Sequence, residues 1–285
     1  MGELRRGLGD ERRERIATLR NFAVTLPPRS FPLKRFLIMP KKEKIQSMFD
    51  SIAGDYDMLN HLMSLDADKG WRRKAMKKVL EGEKKAWDMQ VLDLACGTGD
   101  FSIAIAEEML SRSLKAGEKV RGRVKGVDLS EGMLKVMETK VSEKNLQDII
   151  SISQGDGEDL KFPDNSFDRV TIAFGIRNFQ DREKGLREMC RVLVPGGKLV
   201  ILELSLPDNA LIRWAFNLYF LHILPLIGGK VSGDKAAYKY LPASVVGFPK
   251  KKEFISTMEA CGFRSVVHKA FTFGICRMYI GEKPL

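Results

Sequence analysis

Apolar residues recur three and four apart where the patterned chain begins: Ile45, Met48, Phe49 and Ile52 mark a helix from Lys42 that Gly54 ends. A second short helix runs through Leu59, Leu62 and Met63, and a third from Trp71 to Leu80. The period then changes. Val91-Leu-Asp-Leu-Ala95 is a short apolar run that meets the glycine turn Cys96-Gly-Thr-Gly-Asp100. An alanine-rich helix follows to about Leu110, completing the strand, turn and helix that open a βαβ unit.

The alternation repeats. A strand from Val124 to Val127 ends at Asp128, before a helix from Ser130 to Val141 with Ser130 as its N-cap. A strand from Ile149 to Ser153 leads to Gly155-Asp-Gly157. A strand from Phe167 to Phe174 precedes a helix from Arg182 to Leu193, and Pro195-Gly-Gly197 turns the chain into a strand from Lys198 to Leu204. Residues 207 to 250 read as an insertion: an apolar helix from Leu211 to Ile227, stopped by Gly228-Gly229, then a polar stretch bearing Tyr238 and Tyr240. A helix from Lys250 to Cys261 precedes two strands, Ser265 to Phe271 and Gly274 to Ile280, with no helix between them. The pattern predicts an α/β fold with a seven-stranded, mostly parallel sheet, an antiparallel edge hairpin and helices on both faces. Residues 42 to 88 form a helical lid, and residues 89 to 285 the main domain.

Charge changes this picture little. The 285 residues carry a formal +11, but residues 1 to 44 hold twelve Lys or Arg against five acids, a surplus of seven that leaves +4 for the rest. Residues 1 to 41 form a basic extension, with Pro27, Pro28, Pro32 and Pro40 breaking any long helix. The segment reads as a solvated tail or as an upstream start, since Met39 directly precedes the first patterned helix. A transit peptide fits less well, because five acids and only Ser30 oppose the usual acid-poor, serine-rich composition. With the excess outside the patterned chain, a nucleic-acid partner is not expected. Cys96, Cys190, Cys261 and Cys276 are scattered without a C-x-x-C pair, so neither a disulfide framework nor a metal site is expected and a reducing, cytoplasmic compartment fits. The apolar stretch from Trp214 to Ile227 is too short and too interrupted to span a bilayer.

Chemistry concentrates at three successive strand ends. Gly97 and Gly99 let the backbone pass close to a ligand at a helix N-terminus. Ser102 stands where a dinucleotide fingerprint needs a third glycine. Asp128 is placed to accept bonds from ribose hydroxyls, and Asp156 to accept one from an exocyclic amine, beside Gly157 as room for an adenine ring. Each feature alone also suits a tight turn or a helix cap. Together they converge on one crevice at the carboxyl ends of the strands.

At these residues the chain resembles the class I S-adenosylmethionine-dependent methyltransferases, whose fold is Rossmann-like, through Asp93-Leu-Ala-Cys-Gly-Thr-Gly99. It resembles more closely the quinone C-methyltransferases of ubiquinone and menaquinone biosynthesis, the UbiE/MenG type. Their first signature is matched by Tyr56-Asp57-Met58-Leu59-Asn60, Met63-Ser64 and Trp71. Their second is matched by Phe174-Gly-Ile-Arg-Asn178 through Arg191-Val-Leu-Val-Pro-Gly-Gly197. The likeness covers about residues 42 to 283. It departs at Asp68, where the signature carries histidine, and at Val194, where lysine is usual.

The resemblance implies S-adenosylmethionine as cofactor, with contacts at Thr98, Asp128, Asp156 and Gly157, and with Asp93, Gly97 and Gly99 shaping the turn for the methionine end. It implies a prenylated quinol substrate, demethylmenaquinol ahead of a methoxy-polyprenyl-benzoquinol, in a protein that touches the membrane peripherally and is compatible with a homodimer. A quinol carbon attacks a methyl group best as its anion, so Arg177 is expected to stabilise a phenolate or order the water that takes the proton. Tyr56 and Asp57 would lie on the lid, Asp57 as base or as a helix cap. His61 reads as an exposed helix residue before a catalyst. Tyr238 and Tyr240 would line the quinol pocket or simply pack, and the helix from Leu211 would form a prenyl groove, meet the membrane or sit in the core.

Overall fold

Short runs rich in Val, Ile and Leu assemble into one sheet. The structure, a computed structural model, describes residues 41–285 except 55, 65, 83 and 220–234, with only the backbone of 59, 61–63 and 235–239. Its strands are β1 (Gln90–Leu94), β2 (Arg123–Asp128), β3 (Ile150–Gln154), β4 (Phe167–Ala173), β5 (Leu193–Leu204), β6 (Arg264–Phe271) and β7 (Cys276–Glu282). They stand in the order β3-β2-β1-β4-β5-β7-β6. The first five are parallel, and β7 runs antiparallel between β5 and β6. The expected seven strands and the antiparallel edge are both present.

The helices are α1 (Lys42–Ile52), α2 (Tyr56–Ser64), α3 (Ala67–Val79), α4 (Asp100–Lys115), α5 (Glu131–Glu143), α6 (Arg182–Val192), α7 (Ala210–Leu218), α8 (Lys235–Val246) and α9 (Lys251–Ala260). Alternation along each strand splits the core into two layers. Val91, Val124, Val200 and Leu202 pack beneath α3, α4 and α5, whereas Leu92, Leu94, Val170 and Ile172 pack beneath α6 and α9. Trp71, Ala75, Met76 and Val79 of α3 belong to the first layer. The segment over the crevice therefore narrows to α1 and α2.

Three elements differ from the expectation. Helix α3 begins at Ala67, which places Asp68 in its first turn. Strand β5 begins at Leu193, directly after α6, and Pro195-Gly-Gly197 lies inside it: the register jumps from Phe167 opposite Leu193 to Arg169 opposite Lys198, with Gly196 at φ +74°. The residues read as a turn are thus a bulge, which glycine absorbs at low cost. Helix α8 occupies the stretch read only as polar and tyrosine-bearing, and contains Pro242. Val245 packs with Phe216 in a small core of its own, so burial overrides the local preference against helix. The helix expected from Leu211 to Ile227 is described only up to residue 219.

The sheet order reverses between β1 and β4. Turns leaving the carboxyl ends of β1, β2, β3 and β4 open into the crevice at this reversal, which is where such sheets bind ligands.

Candidate active site

The turn after β1 is built by its glycines. Ala95, Gly97 and Gly99 have φ of 48°, 54° and 86°, and the Gly99 N–H donates to Cys96 O at 3.0 Å. A Cβ on Gly99 would overlap Met137 Cγ, so that glycine serves packing as well as backbone shape. At Gly97 a Cβ would meet only Tyr56 Cε1, at 3.8 Å, which leaves this part of the turn open to the crevice. Behind the turn Asp93 is buried, accepting the hydroxyls of Ser102 at 2.5 Å and Thr171 at 2.7 Å. Burial pushes its carboxyl up to about 6 against the opposing effect of those two hydroxyls. Asp93 thus braces the strand to α4.

Asp128 ends β2 as expected. Its two oxygens accept the Gly97 N–H and the Ser130 N–H, each at 2.8 Å, tying the first and second strand ends together. Burial raises its carboxyl above the ordinary range, and those backbone donors work the other way. Ser130 caps α5 through the Met133 N–H at 3.1 Å, as its position predicted. Asp156 and Gly157 line the same crevice. A Cβ on Gly157 would approach Phe179 Cζ to 2.6 Å, so the small residue here makes room for the Phe179 ring. The crevice has a volume of about 750 Å³ including its open mouth.

The lid fastens to the ends of β3, β2 and β1. Lys42 of α1 pairs with Asp156 at 2.6 Å and Glu158 at 3.1 Å. Asp50 accepts the Ser130 hydroxyl at 2.5 Å and the Gly132 N–H at 3.0 Å, adding a carboxylate at the N-terminus of α5. Asp57 of α2 accepts the Thr98 hydroxyl at 2.5 Å and Lys140 at 2.7 Å. It lies inside the first turn of its helix, which corrects its reading as a cap. Tyr56 lines the crevice, and burial raises its phenol above the ordinary value despite a hydrogen bond with Asn60. The side chains of His61 and Tyr238 lie outside the described residues.

Arg177 follows β4 in a short 3₁₀ turn, Ile176–Asn178, and is 4% exposed, not a surface group. Its Nη1 pairs with Glu203 Oε1 at 2.6 Å and donates to Phe174 O, while Nε donates to Ser244 Oγ at 3.3 Å. Burial, the largest effect, opposes its charge, but Glu203 together with the Tyr56 and Tyr240 phenols outweighs it and holds the guanidinium above its ordinary value. Glu203, which is fully buried, was missed; an acid near the end of the apolar run Leu199–Leu204 was the available signal. Lys42, Asp50 and Lys140 gave none, because they sit on polar helix faces. Tyr240 donates to Asn178 Oδ1 at 2.9 Å, bracing the turn that carries Arg177.

Arg177 faces a second cavity, of about 1120 Å³ including its mouth. Asn60, Ser64, Asp68, Arg72 and Arg177 form its polar end, and Leu204, Ile212, Phe216, Leu241 and Ile275 its apolar end. Phe174 lines both this cavity and the crevice, so the two adjoin there.

This arrangement has known relatives. The Ubiquinone/menaquinone biosynthesis C-methyltransferase UbiE of Geotalea daltonii is 44% identical over 248 residues, covering 87% of this chain and 100% of that protein. The Demethylmenaquinone methyltransferase of Bacteroides fragilis is 42% identical over 243 residues, covering 85% and 94%. Among solved structures, the [4+2]-cyclase SpnF superposes with a TM-score of 0.61 at 15% identity, covering 86% of this chain and 98% of that one. A SAM-dependent methyltransferase from Aquifex aeolicus gives 0.51 at 19% identity, covering 74% and 88%. These two likenesses speak for the fold alone. The sequence profile of the ubiE/COQ5 methyltransferase family matches residues 38–283, which takes in the whole sheet, the lid and every strand end of the crevice. By this match, and by relatives aligned along nearly their full length, the chain belongs to the ubiE/COQ5 methyltransferase family.

Proposed function

We propose that this protein methylates a ring carbon of a prenylated quinol, demethylmenaquinol first, with S-adenosylmethionine as the methyl donor. The observation that carries the reading is the meeting, at Phe174, of the glycine-turn crevice with an apolar cavity whose polar end holds the buried Arg177–Glu203 pair. The names of the Bacteroides fragilis relative and of one from Deinococcus radiodurans, 44% identical, support the naphthoquinol.

The crevice suits the cofactor. Gly97 offers open backbone, and the two Asp128 oxygens retain acceptor capacity beyond their bonds with the Gly97, Leu129 and Ser130 N–H groups for ribose hydroxyls. Asp156, beside Gly157, would accept the adenine amine, and Thr98, Gly99 and Asp93 hold the turn at the methionine end. When bound, the cofactor supplies an electrophilic methyl group on a sulfonium. The chain's own part is to make and hold the nucleophile. Arg177 keeps its proton at neutral pH, so its role is to stabilise the quinol anion and order the water that takes the proton. Tyr56 closes the crevice over the turn. Asp57, committed to Thr98 and Lys140, holds the lid to the glycine turn, a role we favour over that of base.

The prenyl tail fits the apolar end of the second cavity. Helix α7 lines that end with Ile212, Ala215 and Phe216, and carries Leu211, Trp214 and Leu218 on its outer face at 73%, 58% and 46% exposure. A helix apolar on both faces beside a prenyl pocket supports peripheral contact with a membrane surface. No helix among the described residues is long and apolar enough to cross one. The test is a methyl-transfer assay with short-chain demethylmenaquinol and methoxy-benzoquinol side by side. Turnover of the naphthoquinol in preference is expected, and no turnover of either would overturn the reading.

A further inference from the structure

A chain of ion pairs runs from Asp57 of the lid to the polar end of the second cavity. Lys140 bridges Asp57 at 2.7 Å and Asp100 at 2.6 Å, Arg72 lies 3.4 Å from Asp100, and Arg72 pairs with Asp68, which accepts the Ser64 hydroxyl at 2.6 Å. A small recess beneath the glycine turn is lined by Tyr56, Asp93, Gly97, Thr98 and Asp100, and among the described residues lining it Arg72 is the one cation. The Arg72 guanidinium lies 5.3 Å from the Phe174 ring centroid, and its Nε is buried without a hydrogen-bond partner. A buried N–H donor left unused costs free energy unless a ligand takes it.

Resting on the cofactor reading above, we infer that Arg72 binds the methionine carboxylate of S-adenosylmethionine, and that Asp68 is the positioning residue that holds Arg72 there. The recess adjoins Thr98 and Gly97, where the methionine end falls if Asp128 takes the ribose. A planar guanidinium with a free Nε–H matches a carboxylate. The charges also complement each other: Asp57, Asp68, Asp93 and Asp100 outnumber Arg72 and Lys140, so the site is net negative. The cofactor, with its sulfonium, ammonium and carboxylate, carries one positive charge. The ammonium is then met by the acids and the carboxylate by Arg72. Asp68 stands where the family signature has histidine, so this chain supplies its own anionic support for the arginine.

The test compares two ligands by titration calorimetry on the full chain: S-adenosylmethionine, and methylthioadenosine, which has the adenosine and sulfur but no amino-acid end. Arg72→Met should weaken the first by about 10- to 100-fold and leave the second within about twofold, since only the first carries the carboxylate. Asp68→Asn should show the same selectivity at smaller size. If Arg72→Met fails to fold with Asp68 left unpaired, Asp68→Asn/Arg72→Met removes the pair together and should give the same selective loss. Equal loss for both ligands would overturn the inference. So would unchanged affinities with a raised quinol KM, which would assign Arg72 to the substrate. A wild-type protein that binds neither ligand would instead overturn the cofactor reading itself.

Discussion

Arg177 and Glu203 form an ion pair with both partners almost wholly out of water, and this decides how each can be altered. Arg177→Ala strands a buried carboxylate and should cost about 3–5 kcal/mol in denaturant unfolding. The paired change Arg177→Met/Glu203→Gln should cost much less, and equal costs would show that Glu203 finds other compensation. Asp93 gives a pH signature of unusual sign. Its folded value of about 6 lies above the ordinary carboxyl value of about 3.9, so the folded state binds the extra proton between those limits. By linkage, stability contributed at this site falls as pH rises through that window, by up to about 3 kcal/mol at full ionisation. Asp93→Asn keeps hydrogen bonds to Ser102 and Thr171 without the titration. Its stability relative to wild type should therefore rise between pH 4.5 and 7.5, and parallel unfolding curves at both pH values would refute the burial account. Asp93, Gly97, Gly99, Asp128 and Asp156 were legible because turn glycines and acids at successive strand ends are a local pattern. Glu203 and Arg72 were not, because what gives each its meaning is a neighbour distant in the sequence or across the fold.

At the scale of elements, α1 and α2 hold to the sheet through Lys42, Asp50 and Asp57, each bonded to the turn after a different strand. Asp50→Ala removes the acceptor of two hydrogen bonds at the N-terminus of α5 and should cost about 1 kcal/mol locally. Amide exchange in α1 should then quicken about fivefold while the amides of β1 and β4 keep their rates. Acceleration throughout the sheet would mean that the lid is part of the global fold. The alternating strands and helices were readable from their periods. Helix α8 was not, since Pro242 and its polar residues argue against helix locally and only packing of Val245 on Phe216 reverses that. The start of β5 was misread for the complementary reason: Pro-Gly-Gly is a turn signal, and sheet pairing on both sides converts it into a bulge.

For the whole molecule, the membrane contact proposed above rests on α7 more than on charge, since only +4 remains after residue 44. Leu211→Ala/Trp214→Ala should weaken co-sedimentation with phosphatidylcholine–phosphatidylglycerol vesicles by about tenfold without changing turnover of a short-chain quinol. Wild-type binding abolished by moderate salt would point to the basic extension instead. By itself the sequence determined the α/β class, the seven strands with their antiparallel edge, and the three strand ends that converge on the crevice proposed for the cofactor. Those follow from hydrophobic period and from residues that act where they stand in the chain. Tertiary structure alone decided that Arg177 is buried against Glu203, that α1 and α2 clasp the crevice, and that Arg72 lies between two cavities. Each of these depends on groups far apart in sequence brought into one low-dielectric place, where pairing and desolvation, invisible to local pattern, set what a charge can do.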